Sequence, residues 1–350
     1  MSGGDLYLAT TMLVYVGTAM IACWGLDLQI GETNVLNFGF ILFEAIGAYV
    51  AAILTLGPST SNGGFQQYIL GAQLPFPIPW IAAMAAGAFL GFLMGLLTLR
   101  RLRGDYEAVV MLVLALVAFY AVSADNSLFN GSVGLSLIPA PLAGALNGGP
   151  ATSMLYRWVF VGLVAVGCVL SFFVVHRITS SPLGRSLRAI RENDAVAQSL
   201  GKDVIKLRML VLVIGGALGA LAGAMLADWI AAWSPGSWTY PETFTLFAAI
   251  IVGGRANAAG VALGSIIVPG LVMEGVLFLP TFGPAYLTAA LQWMLVGVLI
   301  IGFMWFRPQG LIPERRRRFP TVEASVVPSA APQEVLALAE VKSDLSGTSS

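Results

Sequence analysis

The sequence predicts an all-α membrane protein, a polytopic helical bundle of about nine transmembrane helices (roughly 8–10), on three observations. First, 57% of the 350 residues are hydrophobic and only 10% are charged, with a mean hydropathy of +0.84; in soluble domains about a quarter of residues are charged. Second, apolar runs long enough to cross a bilayer recur along the chain. Third, the positive charges are concentrated in a few segments between these runs.

Eight apolar runs have the length of a membrane-spanning helix, and a ninth is shorter. The eight runs are 6–26, 34–56, 78–99, 105–124, 155–176, 207–229, 259–279 and 285–306. The ninth, 241–253, begins after Pro241 and ends at Gly253, so it is either a short complete span or a re-entrant half-helix that lines a cavity. The first run lacks a basic leader and a small-residue cleavage signal, so we expect a retained helix.

The basic residues predict the orientation, because cytoplasmic loops of membrane proteins are enriched in Lys and Arg. With nine spans and the cluster at 100–103 inside, 17 of the 18 basic residues fall in cytoplasmic segments, and only Arg157 falls outside. We therefore expect a lipid-embedded, multi-pass membrane protein with its N-terminus outside and its C-terminus cytoplasmic. A net charge of zero gives no indication of nucleic-acid binding.

Composition also predicts the domain organisation. Residues 1–312 form the expected membrane domain, with a cytoplasmic loop at 177–208. The tail 313–350 contains several prolines and ends in Ser-Gly-Thr-Ser-Ser, so we expect it to be cytoplasmic and largely disordered. Cys23 and Cys168 lie in apolar runs without a partner at metal-ligand spacing, which favours buried packing over a disulfide or a metal site.

The cytoplasmic loop contains a predicted helix over 183–200. Ser181 is suited to cap its start, Pro182 fits its first turn, and the first helix breaker is Gly201. An apolar face carries Leu183, Leu187 and Ile190, and a neighbouring basic face carries Arg185, Arg188 and Arg191. This pattern fits either a helix that rests on anionic lipid headgroups or one that docks on a protein.

The residues of this loop resemble a known family. The stretch Ser181-Pro-Leu-Gly-Arg-Ser-Leu-Arg-Ala-Ile-Arg-Glu-Asn193, followed by 195–201 and by the glycine-rich 215–225, resembles the cytoplasmic loop and next helix of branched-chain amino-acid ABC permeases, LivM type. Further similar stretches follow in the order of the family: 47–52, 99–106, 131–135, 253–255 and 306–311. The resemblance covers most of the chain, from about residue 20 to about 312.

The resemblance implies a location in the bacterial inner (plasma) membrane, a role for the loop and a set of partners. The loop helix is similar to a coupling helix, which sits in a groove of an ATP-binding subunit. Its docking face would comprise Gly184, Arg185, Arg188, Ala189, Arg191, Glu192 and Asn193. The implied partners are a second permease subunit of similar fold, two ATP-binding subunits and an external solute-binding protein. The expected solute is a branched-chain or other hydrophobic amino acid, although permeases of similar sequence serve urea, short amides and aromatic or steroid acids.

The chain has no ATP-binding motif of its own. A P-loop requires G-x-x-x-x-G-K-[ST], but the sole Gly-Lys pair, Gly201-Lys202, has Val196 in place of the first glycine and Asp203 in place of Ser or Thr. We therefore expect a transport subunit rather than an enzyme, with no cofactor in this chain and with ATP and Mg²⁺ bound by partner subunits. A stand-alone secondary transporter or channel is the alternative of a different class, but it leaves the capped, basic loop helix unexplained.

Polar residues inside apolar runs are the candidates for the translocation path, because burying them in a membrane is costly. Asn37, Glu44 and Glu274 are the path candidates, and Asp228 is a candidate contact for the binding protein. Glu44 falls in the middle of the second run, where it either lines the route or pairs with a neighbouring helix. Glu274 and Asp228 fall near the outer ends of their runs, so each either contacts the binding protein or reaches the headgroups.

Two further features concern packing. Residues 27–34 link the first two runs and contain Gly31, which predicts either an ordinary cytoplasmic turn or unwound backbone facing a cavity. Gly215, Gly219 and Gly223 form a double G-x-x-x-G, which predicts close helix packing within the bundle or against the partner permease.

Overall fold

The computed structural model describes residues 3–58, 66–100, 104–146, 148–275 and 285–314. The first half of the described chain forms α1 (Gly3–Thr33), α2 (Ile41–Thr55), α3 (Ile78–Thr98), α4 (Gly104–Ala124), α5 (Asn126–Phe129), strand β1 (Leu135–Ser136) and α6 (Met154–Ser180). The second half forms α7 (Pro182–Glu192), α8 (Asp194–Ser199), α9 (Val204–Ile230), β2 (Ala232–Trp233), α10 (Tyr240–Gly253), α11 (Ala258–Ser265), a π-helical segment (Ile266–Glu274) and α12 (Ala285–Phe306). The two short strands pair antiparallel.

Five helices within the described ranges are long and apolar enough to cross a membrane: α1, α3, α4, α6 and α9. The shorter apolar helices are α2, the continuous helix from α11 through the π-helical segment, and most of α12. The predicted all-α membrane class is confirmed, whereas the number of nine spans stays a prediction. Helix α10 has 14 residues and is therefore about 21 Å long, shorter than a hydrocarbon core of about 30 Å.

Helix α9 lies at the centre of the bundle, because α1, α2 and α3 all pack against it. Gly215, Gly219 and Gly223 face these neighbours, and a Cβ atom added to Gly223 would lie 2.0 Å from the backbone oxygen of Glu44. A Cβ atom added to Gly47 of α2 would likewise lie 2.0 Å from the backbone oxygen of Ala220 in α9. The glycine pattern therefore lets the helix backbones touch within the bundle. Packing within the bundle was one of the two alternatives that the sequence predicted.

The first helix is longer than the sequence predicted. Helix α1 continues through residues 27–33, so both alternatives predicted for 27–34, a turn and unwound backbone, are wrong. Two buried side-chain oxygens of its last turns have partners: Asp27 Oδ1 accepts a hydrogen bond from the backbone N–H of Ala256 at 3.0 Å, and Gln29 Oε1 accepts one from Asn37 Nδ2 at 3.0 Å. Because these buried groups are paired, the helix continues where composition predicted a polar break. Helix α2 consequently begins only at Ile41.

Arg157, the basic residue predicted to lie outside, is buried at the start of α6. Its guanidinium donates to Thr10 Oγ1, to the backbone oxygens of Tyr7 and Pro150, each at 2.8 Å, and to Thr11 Oγ1. The carbon at its centre lies 3.6 Å from the centroid of the Tyr7 ring. These contacts hold the N-terminal part of α1 against α6 and replace the hydration of the charge.

The segment after α12 packs beside the turn between α10 and α11. The N–H groups of Leu311 and Ile312 donate to the backbone oxygens of Val252 and Gly253 at 2.8 and 3.0 Å. Gly254 follows with φ +119°, a conformation that strongly favours glycine. The chain is therefore fixed up to Glu314, whereas the predicted disordered tail lies outside the described residues from 315 onward.

Candidate functional site

Helix α7 begins as the sequence predicted but ends early. Ser181 Oγ accepts a hydrogen bond from the N–H of Leu183 at 3.2 Å and so caps the helix start. Asn193 is extended, and its Oδ1 accepts from the N–H of Val196 at 3.1 Å, which caps a second short helix, α8. The single helix predicted over 183–200 is therefore wrong, because an asparagine side chain that can bond to the backbone starts a new helix.

One side of α7 is fixed to the rest of the bundle. Leu187 and Ile190 are buried, as expected for the apolar face. Gly184 lies against the end of α6, where an added Cβ atom would be 2.2 Å from the backbone oxygen of Thr179. Helix α7 therefore packs on protein through this face.

Two of the three arginines on the predicted basic face of α7 make contacts within the bundle. Arg191 donates to the backbone oxygen of Gly31 at 2.6 Å and to Glu314 Oε2 at 2.8 Å. Arg188 lies 3.6 Å from the buried carboxylate of Glu32. These contacts join α7 to the end of α1 and to the C-terminal segment.

The predicted docking face is thus divided between internal and exposed residues. Gly184 is buried, and Arg188 and Arg191 make the internal contacts described above. The exposed members are Arg185, Ala189, Glu192 and Asn193. Behind them, Asp194 of α8 pairs with Arg208 of α9 at 2.8 Å, which ties the second short helix to the bundle.

A cavity of about 510 Å³ lies between the helices farther along α1. Its wall is built from α1, the first turn of α2, the end of α9, β2, α10, the π-helical segment and α12. The aliphatic part of the wall comprises Ile41, Leu226, Ile230 and Leu246. A π-helical segment in the wall is a feature often found at functional sites, since it redirects side chains relative to a regular helix.

The structure brings two of the predicted path residues together in this cavity. Glu44 and Glu274 both line it, although Glu44 lies in the first turn of α2 rather than in mid-span. Glu242 of α10 is a third carboxylate in the wall, and sequence reasoning missed it. The sequence did not single out Glu242 as a path residue, because an acidic residue just after Pro241 is common in the first turn of a helix.

Asn37 does not line this cavity in the structure. Its Nδ2 donates to Gln29 Oε1, and its Oδ1 accepts from the N–H of Gly39 at 3.1 Å. The side chain therefore holds the non-helical segment between α1 and α2 in place.

Asp228 lies near the end of α9, as the sequence predicted. Its side chain is buried, and Oδ2 accepts a hydrogen bond from Trp80 Nε1 at 2.6 Å. Both residues line a second cavity of about 320 Å³, together with Gln73 and Pro139. The role of Asp228 as a contact for the binding protein stays a prediction.

The described residues contain no cluster of three or more His, Cys, Asp or Glu side chains that could hold a metal ion. Cys23 and Cys168 are free thiols.

Comparison with known proteins identifies the family. The family model described as "Branched-chain amino acid transport system / permease component" matches residues 8–304. The chain is 31% identical to the high-affinity branched-chain amino acid transport system permease protein LivM of Escherichia coli, over 90% of this chain and 71% of that protein.

Two archaeal relatives from Methanocaldococcus jannaschii are also similar. A probable LivM permease is 28% identical over 88% of this chain and 94% of its own, and a probable LivH permease is 24% identical over 76% and 79%. No solved structure matches the chain significantly. The family match over most of the chain and the bundle of apolar helices together show that this protein belongs to the permease components of branched-chain amino acid transport systems.

Proposed function

We propose that this chain forms part of the translocation path of an ATP-driven importer, through which a branched-chain or other hydrophobic amino acid enters the cell. The observation that carries the proposal is the cavity of about 510 Å³ inside a bundle of this family. Its wall combines aliphatic side chains with a few polar groups, which is typical of sites for small amphipathic solutes. An external solute-binding protein would deliver the solute.

The energy for transport would come from two separate ATP-binding subunits, because the chain lacks a P-loop. A second permease subunit of similar fold would complete the membrane part. The relation of this chain to both LivM-type and LivH-type permeases supports pairing of two related subunits.

Helix α7 is the proposed element that receives the motion of the ATP-binding subunits. Its exposed residues Arg185, Ala189, Glu192 and Asn193 form the proposed docking surface. Its opposite side is fixed to α1 and the C-terminal segment through Arg191. A short helix held in this way transmits a rigid-body displacement, whereas a flexible loop would absorb it.

For the topology we propose nine spans, with α10 counted as a short ninth, the N-terminus outside and the C-terminus in the cytoplasm. The distribution of basic residues supports this arrangement. Single cysteines in a variant with Cys23 and Cys168 replaced by alanine test it. Gly144→Cys lies in the proposed outer loop, where an added Cβ atom has open space, and it should react with a membrane-impermeant maleimide in intact cells. Gln198→Cys, at an exposed position of α8 outside the proposed docking surface, should react only in inverted vesicles, and the reverse result would contradict the orientation.

Cross-linking tests the docking surface. Ala189→Cys, combined with single cysteines on the co-expressed ATP-binding subunit, should form a specific adduct in an active complex, and Gly144→Cys should form none. Absence of every adduct with Ala189→Cys in an active complex would refute docking through α7.

Reconstitution tests the transport function. Proteoliposomes that contain the complete complex, with the binding protein outside and ATP inside, should accumulate leucine, isoleucine or valine. Uptake that continues without ATP and follows an ion gradient instead would favour the secondary transporter. Lack of any ATP-driven uptake of these amino acids would refute the proposed substrate.

A further inference from the structure

The cavity of about 510 Å³ has a strongly acidic lining. Glu44, Glu242 and Glu274 contribute three carboxyl groups from three different elements, whereas no Arg, Lys or His is among the described residues that line it. Carboxyl groups in an apolar bundle repel one another when ionised, and each is costly to bury without a partner of opposite charge. Among the described residues of the wall, no group of opposite charge compensates these carboxyl groups.

Several buried polar atoms of the same wall have no hydrogen-bond partner within the described part of the chain. They are Glu44 Oε1, Thr245 Oγ1 and Trp233 Nε1, and their residues are 8%, 4% and 1% exposed. Native proteins pair nearly all buried polar groups, so an unpaired group needs an explanation. Three such groups on one cavity indicate that a ligand supplies their partners.

The chemistry of these atoms defines the ligand. A carboxylate and a hydroxyl can accept hydrogen bonds from an ammonium group, and the indole N–H of Trp233 can donate to an acceptor on the same solute. The aliphatic residues of the wall provide contact for a hydrocarbon side chain. The volume is in the range typical of cavities for small organic molecules.

We propose that this cavity binds the transported solute through its protonated primary amine, with Glu44 as the direct partner. Glu242 and Glu274 add negative potential that favours the cation, and Thr245 offers a second acceptor. The amine is held at the acidic side of the cavity, while the aliphatic part of the solute packs on Leu226 and Leu246. This inference rests on the proposed transport function only in identifying the ligand as the transported solute.

A matched set of probes separates the amine from the rest of the solute. Leucine carries both charged groups, isopentylamine lacks the carboxylate, and isocaproate lacks the amine. Binding of each is measured by calorimetry on the purified complete complex in lipid nanodiscs, without the external binding protein. We expect leucine and isopentylamine to bind, and isocaproate to bind at least about tenfold more weakly.

Variants then test the role of Glu44. Glu44→Gln keeps the shape of the side chain but removes the charge, and it should weaken binding of isopentylamine by about ten- to a hundredfold while leaving isocaproate unchanged. Glu274→Gln, at a partly exposed position, should give a smaller loss and provides a second variant if the first does not fold. The control is Asp125→Asn, which lies outside the cavity at the start of α5 and can keep its helix cap.

Three outcomes would overturn the inference. The first is equal binding of isocaproate and isopentylamine to the unmodified complex, or no binding of either amine probe. The second is unchanged amine binding in Glu44→Gln or, if that variant does not fold, in Glu274→Gln. The third is displacement of isopentylamine by an equal concentration of Na⁺, since the site would then belong to an inorganic cation.

Uptake measurements separate this inference from the transport function. If the unmodified complex imports leucine with ATP but amine binding does not depend on Glu44, the cavity assignment is wrong and the function stands. If amine binding depends on Glu44 but ATP drives no uptake, the function is wrong and the binding site stands.

Discussion

Replacement of Gly223 by alanine should disrupt the contact between α2 and α9. A Cβ atom at this position would lie 2.0 Å from the backbone oxygen of Glu44 and 2.6 Å from its carbonyl carbon. Since non-bonded heavy atoms pack best at about 3.5 Å, the two helices would have to separate locally by roughly 1.5 Å. Neither side of the contact is a flexible side chain, so we expect a cost near the upper end of the ~1–3 kcal/mol typical of overpacking.

The measurement is the thermal stability of the purified complex, followed by size-exclusion chromatography after heating. A loss of this size should lower the midpoint by about 5–10 °C. The matched control is Gly162→Ala in α6, where an added Cβ atom meets no other atom within 4 Å. Because alanine is favoured over glycine in a helix by about 1 kcal/mol, this control should keep or raise the midpoint.

The same variant also has a functional consequence. The separation of the helices would displace Glu44 by roughly 1 Å or more, and Glu44 lines the cavity of about 510 Å³. We therefore expect Gly223→Ala to reduce ATP-driven uptake even at temperatures where the complex remains folded. Equal midpoints and equal uptake for Gly223→Ala and Gly162→Ala would refute the argument that the backbone contact is essential.

Three further perturbations test single contacts. Arg157→Lys cannot reproduce the several hydrogen bonds of the guanidinium group, so it should lower the free energy of unfolding by about 2–4 kcal/mol. The measurement is heat inactivation, which should occur at a lower temperature. An unchanged midpoint would contradict the role of Arg157 in holding α1 against α6. Asn193→Ala should destabilise the start of α8 by about 1 kcal/mol, measured as faster hydrogen exchange there, whereas Asn193→Asp should keep the cap. Arg191→Lys should reduce the amount of solute taken up per ATP hydrolysed, and Glu314→Gln should reduce it by less. A parallel fall in uptake and hydrolysis would argue against coupling through Arg191.

Parts of the site were predictable because their signals are local in the sequence. The cap at Ser181 depends on neighbouring residues alone, and the structure contains it. Glu44 and Glu274 were recognisable as carboxyl groups in apolar runs. Glu242 was not, since its position near a helix start gave it an ordinary explanation. Glu242 lies in the same cavity as the other two carboxyl groups only because of how α10 packs against α2 and the π-helical segment.

The break at Asn193 shows a different limit. Asparagine is compatible with a helix interior and with a cap, and the sequence pattern continued past it. Whether Asn193 lies inside a helix or caps a new one depends on the partners of the following residues, such as the pairing of Asp194 with Arg208 on α9. Local propensities differ by less than about 1 kcal/mol, so tertiary contacts decide between them.

The sequence by itself determined the membrane class, the glycine-rich face of α9, the cap of the loop helix and the absence of a P-loop. Each of these follows from composition or from residues within a few positions of one another. Only the tertiary structure decided where α1 ends, which arginines of α7 face inward, and that three distant carboxyl groups share one cavity. The physical reason is that a buried polar group is stable only beside its partner, and in this bundle the partners come from helices far apart in the sequence.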